Sequence, residues 1–273
     1  MKIKIIPVSG SVVLLLYFLV GQSILAQPID QIHSNWYSGT ALILPPGRME
    51  IGIFQPLRYG WSKSIEFTIH PLAAFIIPNL SLKWSHGQRS QYFYATRHSI
   101  SYPTLLLRTV SKEGIGGLIS PEFDIPHILS IYNEIIVSTK IAANHLLSYK
   151  AGIAFAIKSA DLDKGTTIDL PIIFPRMAAY YHGYNFRLGS DWQGKFLKRW
   201  HYLVDFDLFF TPGSDENFAL EHKGLILWNK SDRFQLCIGY KLVYGEYPFG
   251  RQWHLLFPLL DLQWARIIKS EHK

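Results

Sequence analysis

Cysteine, charge and long apolar runs are scarce in this chain, and each shortage excludes a class of protein. Cys237 is the only cysteine among 273 residues, so the chain has neither an internal disulfide nor a thiolate metal cluster. Charged residues make up 17% of the chain, below the roughly 25% of average globular proteins. After residue 26 no stretch of 18 uninterrupted apolar residues occurs, which excludes a polytopic helical membrane protein.

Aromatic residues, in contrast, are abundant. The chain contains 8 Trp, 15 Tyr and 17 Phe, a composition that excludes intrinsic disorder. The formal net charge of +7 is spread along the chain with no run of five like charges, so no nucleic-acid partner is expected. The length fits one large all-β domain or two small domains.

Residues 1–26 have the parts of a secretory signal peptide. Two lysines near the start precede the apolar stretch Ser11 to Val20, and the segment ends at the small residue Ala26. We expect cleavage after Ala26, which leaves residues 27–273 as the mature domain and lowers the net charge to +5 by removing the two lysines. The alternative is an uncleaved helical anchor, because this segment approaches the length that spans a bilayer.

The mature chain alternates between large apolar residues and small or polar ones. From Trp200 to Phe210 every second residue is large and apolar, whereas the residues between them include a histidine and two aspartates. The segments Phe234 to Tyr244, Tyr149 to Lys158 and Leu256 to Ala265 repeat this pattern. The second face is rich in Gly and Ala and carries charges of both signs, which suits a crowded, closed interior. Strands of this length with an apolar outer face and a polar inner face are typical of a transmembrane β-barrel.

We predict a single antiparallel barrel of about twelve strands, with ten as the alternative. Eleven segments alternate clearly, and Ser38–Leu44 is taken as the twelfth because bacterial single-chain barrels have even strand numbers. The eleven segments are Met49–Tyr59, Ser64–Leu72, Asn79–Ser85, Gln91–Tyr102, Ile128–Lys140, Ser148–Lys158, Arg176–Gly189, Lys198–Phe210, Asn217–Trp228, Arg233–Tyr244 and Trp253–Arg266. With twelve strands, the two long connections, 103–127 and 159–175, both lie on the extracellular side, as expected for this architecture.

Several runs resemble an uncharacterised group of bacterial outer-membrane β-barrel proteins. They are Phe54–Gly60, His70-Pro71, Pro78–Trp84, Arg97–Pro103 and Leu118–Phe123. The resemblance covers about the middle half of the mature chain. It implies the fold and an outer-membrane location, and it implies no activity.

Motifs for metal binding and catalysis are weak. Asp161 to Gly165 begins like a calcium loop, but its glycine stands at the fifth place and no glutamate follows at the twelfth. Asp205 and Asp207 lie on one strand face and could hold a cation or act as an acid–base pair, but pairing with a lumen cation such as Lys150 or Lys241 is the commoner arrangement. We therefore predict no catalytic residue, no metal site and no cofactor.

His98 nevertheless leaves one enzymatic alternative, an outer-membrane lipid hydrolase. Such an enzyme needs a hydroxyl nucleophile beside a histidine. His98 and Ser99 are neighbours on a strand and therefore point to opposite faces, so they cannot pair with each other. A serine from another strand stays open as the partner of His98, and no Gly-x-Ser-x-Gly motif occurs.

The function expected from these observations is an outer-membrane barrel with a structural role or a narrow channel for small solutes, and not an enzyme. Twelve strands enclose a bore between that of filled eight-stranded barrels and that of sixteen-stranded porins. Another class of protein, a soluble periplasmic β-sandwich that binds an apolar partner, is the remaining alternative. Expected partners are outer-membrane lipids, the barrel assembly machinery and small solutes. Candidate lumen-lining residues are Arg58, Glu66, His70, Lys83, Arg97, Glu134, Lys140, Lys150, Asp205, Asp207, Lys241 and Asp261.

Overall fold

The computed structural model describes Trp36 and residues 39–142, 144–168, 170–215 and 217–268. The predicted signal peptide, residues 1–26, lies outside this part of the chain. Within it, no helix has both the length and the apolar character needed to cross a bilayer.

Twelve strands form one closed antiparallel barrel, in which each strand pairs with its neighbours in sequence and β12 closes onto β1. This result confirms the predicted fold class and strand number, and it excludes the β-sandwich. The strands are β1 (Arg48–Gly52), β2 (Leu57–Gly60), β3 (Ile65–Ile69), β4 (Asn79–Arg89), β5 (Tyr92–Ser101), β6 (Ile128–Ala142), β7 (His145–Lys158), β8 (Tyr184–Leu197), β9 (Trp200–Phe210), β10 (Phe218–Ser231), β11 (Phe234–Tyr247) and β12 (Gly250–Ile267).

The identity of one strand differs from the prediction. Residues 39–47 form no strand, and residues 39–44 instead run through the barrel interior; Ser38, the first residue of the predicted strand, lies outside the described residues. The predicted strand Met49–Tyr59 is instead two strands, β1 and β2, joined by a turn in which the Gly52 N–H donates to the Gln55 carbonyl at 3.3 Å. Pro56 explains the break, because proline has no N–H to donate to a sheet ladder. The barrel therefore has twelve strands, as predicted. The additional strand comes from the division of Met49–Tyr59 into β1 and β2 and not from the predicted strand Ser38–Leu44.

We call the end of the barrel where β1 begins and β12 ends the near end, and the opposite end the far end. The turns at the near end are short, and both long connections, between β5 and β6 and between β7 and β8, lie at the far end. Strand length varies around the wall: β1 to β3 have 4 or 5 residues, whereas β12 has 18 and pairs with β1 only from Gln263 to Ile267. The β11–β12 hairpin therefore extends beyond β1 at the far end.

Three α-helices occur in the connections: α1 (Pro71–Ala74), α2 (Thr104–Val110) and α3 (Phe174–His182), with a 3₁₀ turn at Lys164–Thr166. The predicted strand Arg176–Gly189 was wrong in its first half, because α3 occupies residues 174–182 and β8 starts at Tyr184. Pro175 stands in the first turn of α3, and Gly183, with a φ of 84°, ends the helix. Proline at the start and glycine just past the end are the usual signals of a helix.

The two faces of the wall differ as alternation predicts. Ile226 on β10 pairs with Ile238 on β11, which pairs with Leu260 on β12, and all three side chains are exposed on the outside. Cys237, the neighbour of Ile238, is buried. The exposed outer belt also includes Ile135, Phe155, Leu188, Trp192, Val204, Phe206, Leu242 and Trp264.

Candidate functional site

The barrel interior is the candidate functional site, and part of the chain itself fills its near half. Residues 39–44, which we call the inner segment, lie inside the wall, with Thr40, Ala41 and Leu44 almost fully buried. The Ala41 N–H donates to the hydroxyl of Ser138 on β6 at 2.8 Å. Gly39 allows this path, because a Cβ at that position would overlap the carboxylate of Asp191.

A first ion network on β1 to β4 holds the inner segment. Glu66 accepts two hydrogen bonds from the guanidinium of Arg58, at 3.0 and 2.9 Å, and a third from the N–H of Leu44 at 2.9 Å. The Lys83 ammonium lies 3.4 Å from Glu66 and donates to the Leu42 carbonyl at 2.7 Å. Wall charges thus satisfy backbone groups that water would otherwise solvate.

The same network continues toward the near end. Glu50 accepts from Arg58 at 3.0 Å and from Arg48 at 2.7 Å. Arg48 also lies over the ring of Trp36, with its guanidinium carbon 5.3 Å from the ring centroid. All the charged side chains in this network are buried, so it is a fully paired group rather than a set of isolated charges.

A second ion network lies on β7 to β10. The Lys150 ammonium is 2.6 Å from Asp191, 3.4 Å from Asp205 and 3.5 Å from Asp207. Lys223 pairs with Asp205 at 2.8 Å. Asp205 and Asp207 therefore lie close to lysine side chains, which is the commoner arrangement for such carboxylates. Among the described residues, no group of three His, Cys, Asp or Glu is placed to hold a metal ion.

A third ion network connects β5, β6 and β8 around Glu134. This carboxylate accepts from Arg97 at 3.0 Å, from Arg187 at 3.2 Å and from the hydroxyl of Tyr132 at 2.6 Å. Arg187 also pairs with Asp207 at 2.6 Å, which joins the third network to the second. The two networks therefore form one band of alternating charge around half of the interior.

Helix α3 fills the far half of the interior. Phe174 and Ala178 pack with Phe209 and Val243 of the wall, whereas Met177 and Tyr180 pack with Ile125 and other residues of the long connections. Ile125 belongs to that cluster, and Phe123 lies against it. Burial raises the pKa of the Tyr180 hydroxyl above its ordinary value, which fits a tightly packed helix.

Arg176 makes an ion pair between α3 and the wall. Its guanidinium donates to both carboxylate oxygens of Glu221 on β10, and it lies 5.2 Å from the ring centroid of Phe209. Glu221 also pairs with Lys241 on β11 at 2.9 Å. The helix is thus attached to the wall through a carboxylate that has a second cation of its own.

The charges that reach solvent inside the barrel are positive. The side chains of Arg97, Arg187, Lys223 and Lys241 are 23%, 18%, 29% and 15% exposed, and that of Arg176 is 48% exposed. Their carboxylate partners are more deeply buried: Glu134 is 0% exposed, Asp207 and Glu221 are 4%, and Asp205 is 12%. The interior has nearly equal numbers of cations and carboxylates, but the cations named here are the more exposed partners. The surface that faces the enclosed space is therefore electropositive.

Two cavities in the enclosed space are small. A cavity of about 30 Å³ lies beside Glu50, Arg58, Gln193 and Gln235, and another of about 10 Å³ lies between α3 and the wall. A water molecule needs about 10 to 15 Å³ measured in this way, so the larger cavity has room for about two waters and the smaller for one at most. The inner segment and α3 therefore occupy much of the interior near these two cavities.

The candidate lumen-lining residues fall into two groups. Ten lie in the interior, and Asp261 among them accepts from Gln263 and from the Phe54 N–H, both at 2.9 Å. His70 and Lys140 do not join the ion networks: His70 caps α1 at the far end, and Lys140 is exposed near the near end of β6. Sequence reasoning missed Arg48, Glu50, Asp191, Arg176, Arg187, Glu221 and Lys223. The alternation of inward and outward residues could have identified the missed residues that lie on strands. It could not have identified Arg176, which lies on α3.

Fold and site together define a class: a closed twelve-stranded barrel whose interior is filled by ion pairs and by its own chain. No protein-family model and no curated protein matches the chain. Among solved structures, the outer membrane channel DcaP of Acinetobacter baumannii is similar over 89% of this chain and 68% of its own, with 10% identity and a TM-score of 0.39. A likeness at that level carries no argument about function.

Proposed function

We propose that this protein is a bacterial outer-membrane β-barrel that acts as a gated passage for small anionic solutes. The alternation of exposed apolar and buried charged residues around a closed wall supports the membrane location. In water such a belt would be an aggregation site, whereas in a bilayer the closed ladder leaves no unpaired edge. Outer-membrane lipids and the barrel assembly machinery are the partners that this location requires.

The location is tested by membrane fractionation and by comparing heated with unheated protein on a gel. A folded barrel is expected in the outer-membrane fraction and should migrate differently after heating. Recovery in the soluble periplasm without a mobility shift would overturn the membrane assignment.

The exposure of the interior cations is the observation that supports anionic solutes. Glu134 and Glu221 are less exposed than Arg97, Arg176 and Lys241, and Asp205 is less exposed than Lys223. A solute in the lumen therefore meets guanidinium and ammonium groups first. A cleft lined by one sign of charge concentrates ions of the opposite sign. Carboxylates and phosphates also present paired oxygens that match the paired N–H donors of the planar guanidinium of arginine.

Passage requires that α3 leave the bore, and Arg176 is the contact that supports a gating role. Replacing Arg176 with Gln removes the ion pair between helix and wall. Lys241→Gln is the matched control, because it removes the other cation of Glu221 and leaves α3 attached.

In planar bilayers, Arg176→Gln should open more often than the unchanged protein, and Lys241→Gln should not. The reversal potential in a salt gradient should show preference for chloride over potassium, and Lys223→Gln should weaken that preference. A cation-selective pore would contradict the assignment of the solute. An Arg176→Gln barrel that is folded and as closed as the unchanged protein would contradict the gate.

A further inference from the structure

Four polar side chains lie side by side on the outer wall, among apolar residues of the belt. They are His86 on β4, Thr96 and His98 on β5, and Asn133 on β6. Thr96, His98 and Asn133 face away from the interior because Ala95, Arg97 and Glu134 beside them point inward. His86 lies at a β-bulge between Ser85 and Gly87, on the same side of the wall as Thr96. Trp84, Ile100 and Ile135, all exposed, surround them on the same strands. Polar groups placed in a lipid-facing wall are costly, so this cluster calls for an explanation that the passage does not supply.

The hydrogen bonds of the cluster form a chain in which each donor and acceptor can be assigned. His98 Nδ1 lies 2.7 Å from the side-chain oxygen of Asn133, and since that oxygen only accepts, His98 carries its proton on Nδ1. Its Nε2 is then an acceptor, and it lies 3.1 Å from the hydroxyl of Thr96. The Thr96 oxygen in turn lies 3.0 Å from Nε2 of His86, which is placed to donate to it.

We propose that Thr96, His98 and Asn133 form a catalytic triad that hydrolyses the acyl ester of a membrane lipid. Nucleophile, base and orienting group are linked in the order that such a triad requires. The inference rests on the proposed membrane location, because lipids are the esters that reach an outward-facing site on the wall. It revises the expectation that the protein is not an enzyme.

In the first half-reaction the Thr96 oxygen attacks the ester carbonyl carbon while its proton moves to Nε2 of His98. The carbon–oxygen bond to the alcohol breaks, the alcohol takes that proton, and the acyl group remains on Thr96. In the second half-reaction water attacks the acyl group, His98 takes and returns a proton, and the fatty acid leaves. The His86 N–H, beside the attacking oxygen, is the nearby donor for the oxyanion.

Asn133 is a positioning residue, since it holds the ring of His98 and touches no substrate atom. Ser99, the hydroxyl next to His98 in sequence, shares the inward parity of Arg97 and donates to Ser81 at 2.8 Å. It therefore takes no part. The role of nucleophile falls to Thr96 because residues two apart on a strand share a face.

The test uses the full chain, folded in detergent micelles, with two lipid substrates: diacyl phosphatidylethanolamine and lipid A. Released fatty acid is measured by mass spectrometry, and folding of each variant is checked by its heat-dependent gel mobility. Thr96→Val removes the hydroxyl with little change of shape, Thr96→Ser keeps it, and His98→Gln removes the base. His222→Gln is the control, because His222 is another outward histidine and stacks on Tyr240 instead.

Fatty acid release from either lipid is expected, and the productive lipid identifies the source of the ester. Thr96→Val and His98→Gln should lower the rate about 100-fold or more, whereas Thr96→Ser and His222→Gln should retain it. Asn133→Leu should lower kcat with little change in KM. An acyl group found on Thr96 by peptide mapping would be direct support.

Two results would overturn the triad. One is that the folded, unchanged protein releases no fatty acid from either lipid. This result would also be obtained if the cluster were only an interface between two copies of the chain, in which case His98→Gln would separate the copies. The other is undiminished release by Thr96→Val. Either result leaves the membrane location standing, because fractionation and gel mobility test that separately.

Discussion

Lys83 is the residue on which the inner segment depends most directly, so Lys83→Met should release that segment and destabilise the barrel. The side chain is 1% exposed. Its ammonium donates to the carbonyl of Leu42 at 2.7 Å and to that of Thr40 at 3.3 Å. Methionine has a similar length and no charge, so the change removes the donor without opening a large cavity.

The expected loss follows from what remains paired. Hydrogen bonds to a charged group contribute about 1.5 to 3 kcal/mol each, and breaking a buried ion pair costs about 3 to 5 kcal/mol when the other charge is left alone. Glu66 keeps both of its bonds to Arg58, so no charge is orphaned. We therefore expect the free energy of unfolding to fall by about 3 kcal/mol, the lower limit of the range for breaking a buried ion pair.

Urea unfolding of the barrel in lipid vesicles, followed by tryptophan fluorescence, measures this loss. With a slope of about 3 kcal/mol per molar urea, the midpoint should fall by about 1 M. Amide hydrogen exchange at Ala41 and Leu42 should become faster. Lys140→Met is the control: Lys140 is exposed, and its replacement should change stability by less than about 0.5 kcal/mol. Equal midpoints for the two variants would refute the role given to Lys83.

Three further predictions concern the wall, the packing of the interior and the topology. Ile238→Arg should destabilise the barrel in lipid by about 2 to 4 kcal/mol, whereas Cys237→Ser next to it should cost less than about 1 kcal/mol; equal costs would contradict the facing of β11. Gly189→Ala should lower Tm, because its Cβ would lie 2.2 Å from an oxygen of Asp207, and an unchanged Tm would show that the interior has room. Gly116→Cys in the Cys237→Ser background should react with an impermeant thiol reagent on intact cells, and labelling only after the outer membrane is broken would reverse the topology.

The sequence by itself determined the fold class and the faces of the long strands. These features follow from a period of two residues, which is a local property: Ile238 and Cys237 point to opposite faces whatever the neighbouring strands do. The lengths of the connections are also local, and they placed both long ones at one end. Most of the candidate lumen-lining residues were found in the same way, from a charge on an alternating strand.

Tertiary structure decided which segments fill the barrel and which side chains meet. Residues 39–44 are apolar enough for a strand, and only the space inside a closed twelve-stranded wall makes them an inner segment. Pairing of His98 with Asn133 depends on the register between β5 and β6, and the exposure of cations before carboxylates depends on depth in the lumen. Register, closure and depth arise from contacts between residues far apart in the chain, so a pattern read along one strand does not contain them.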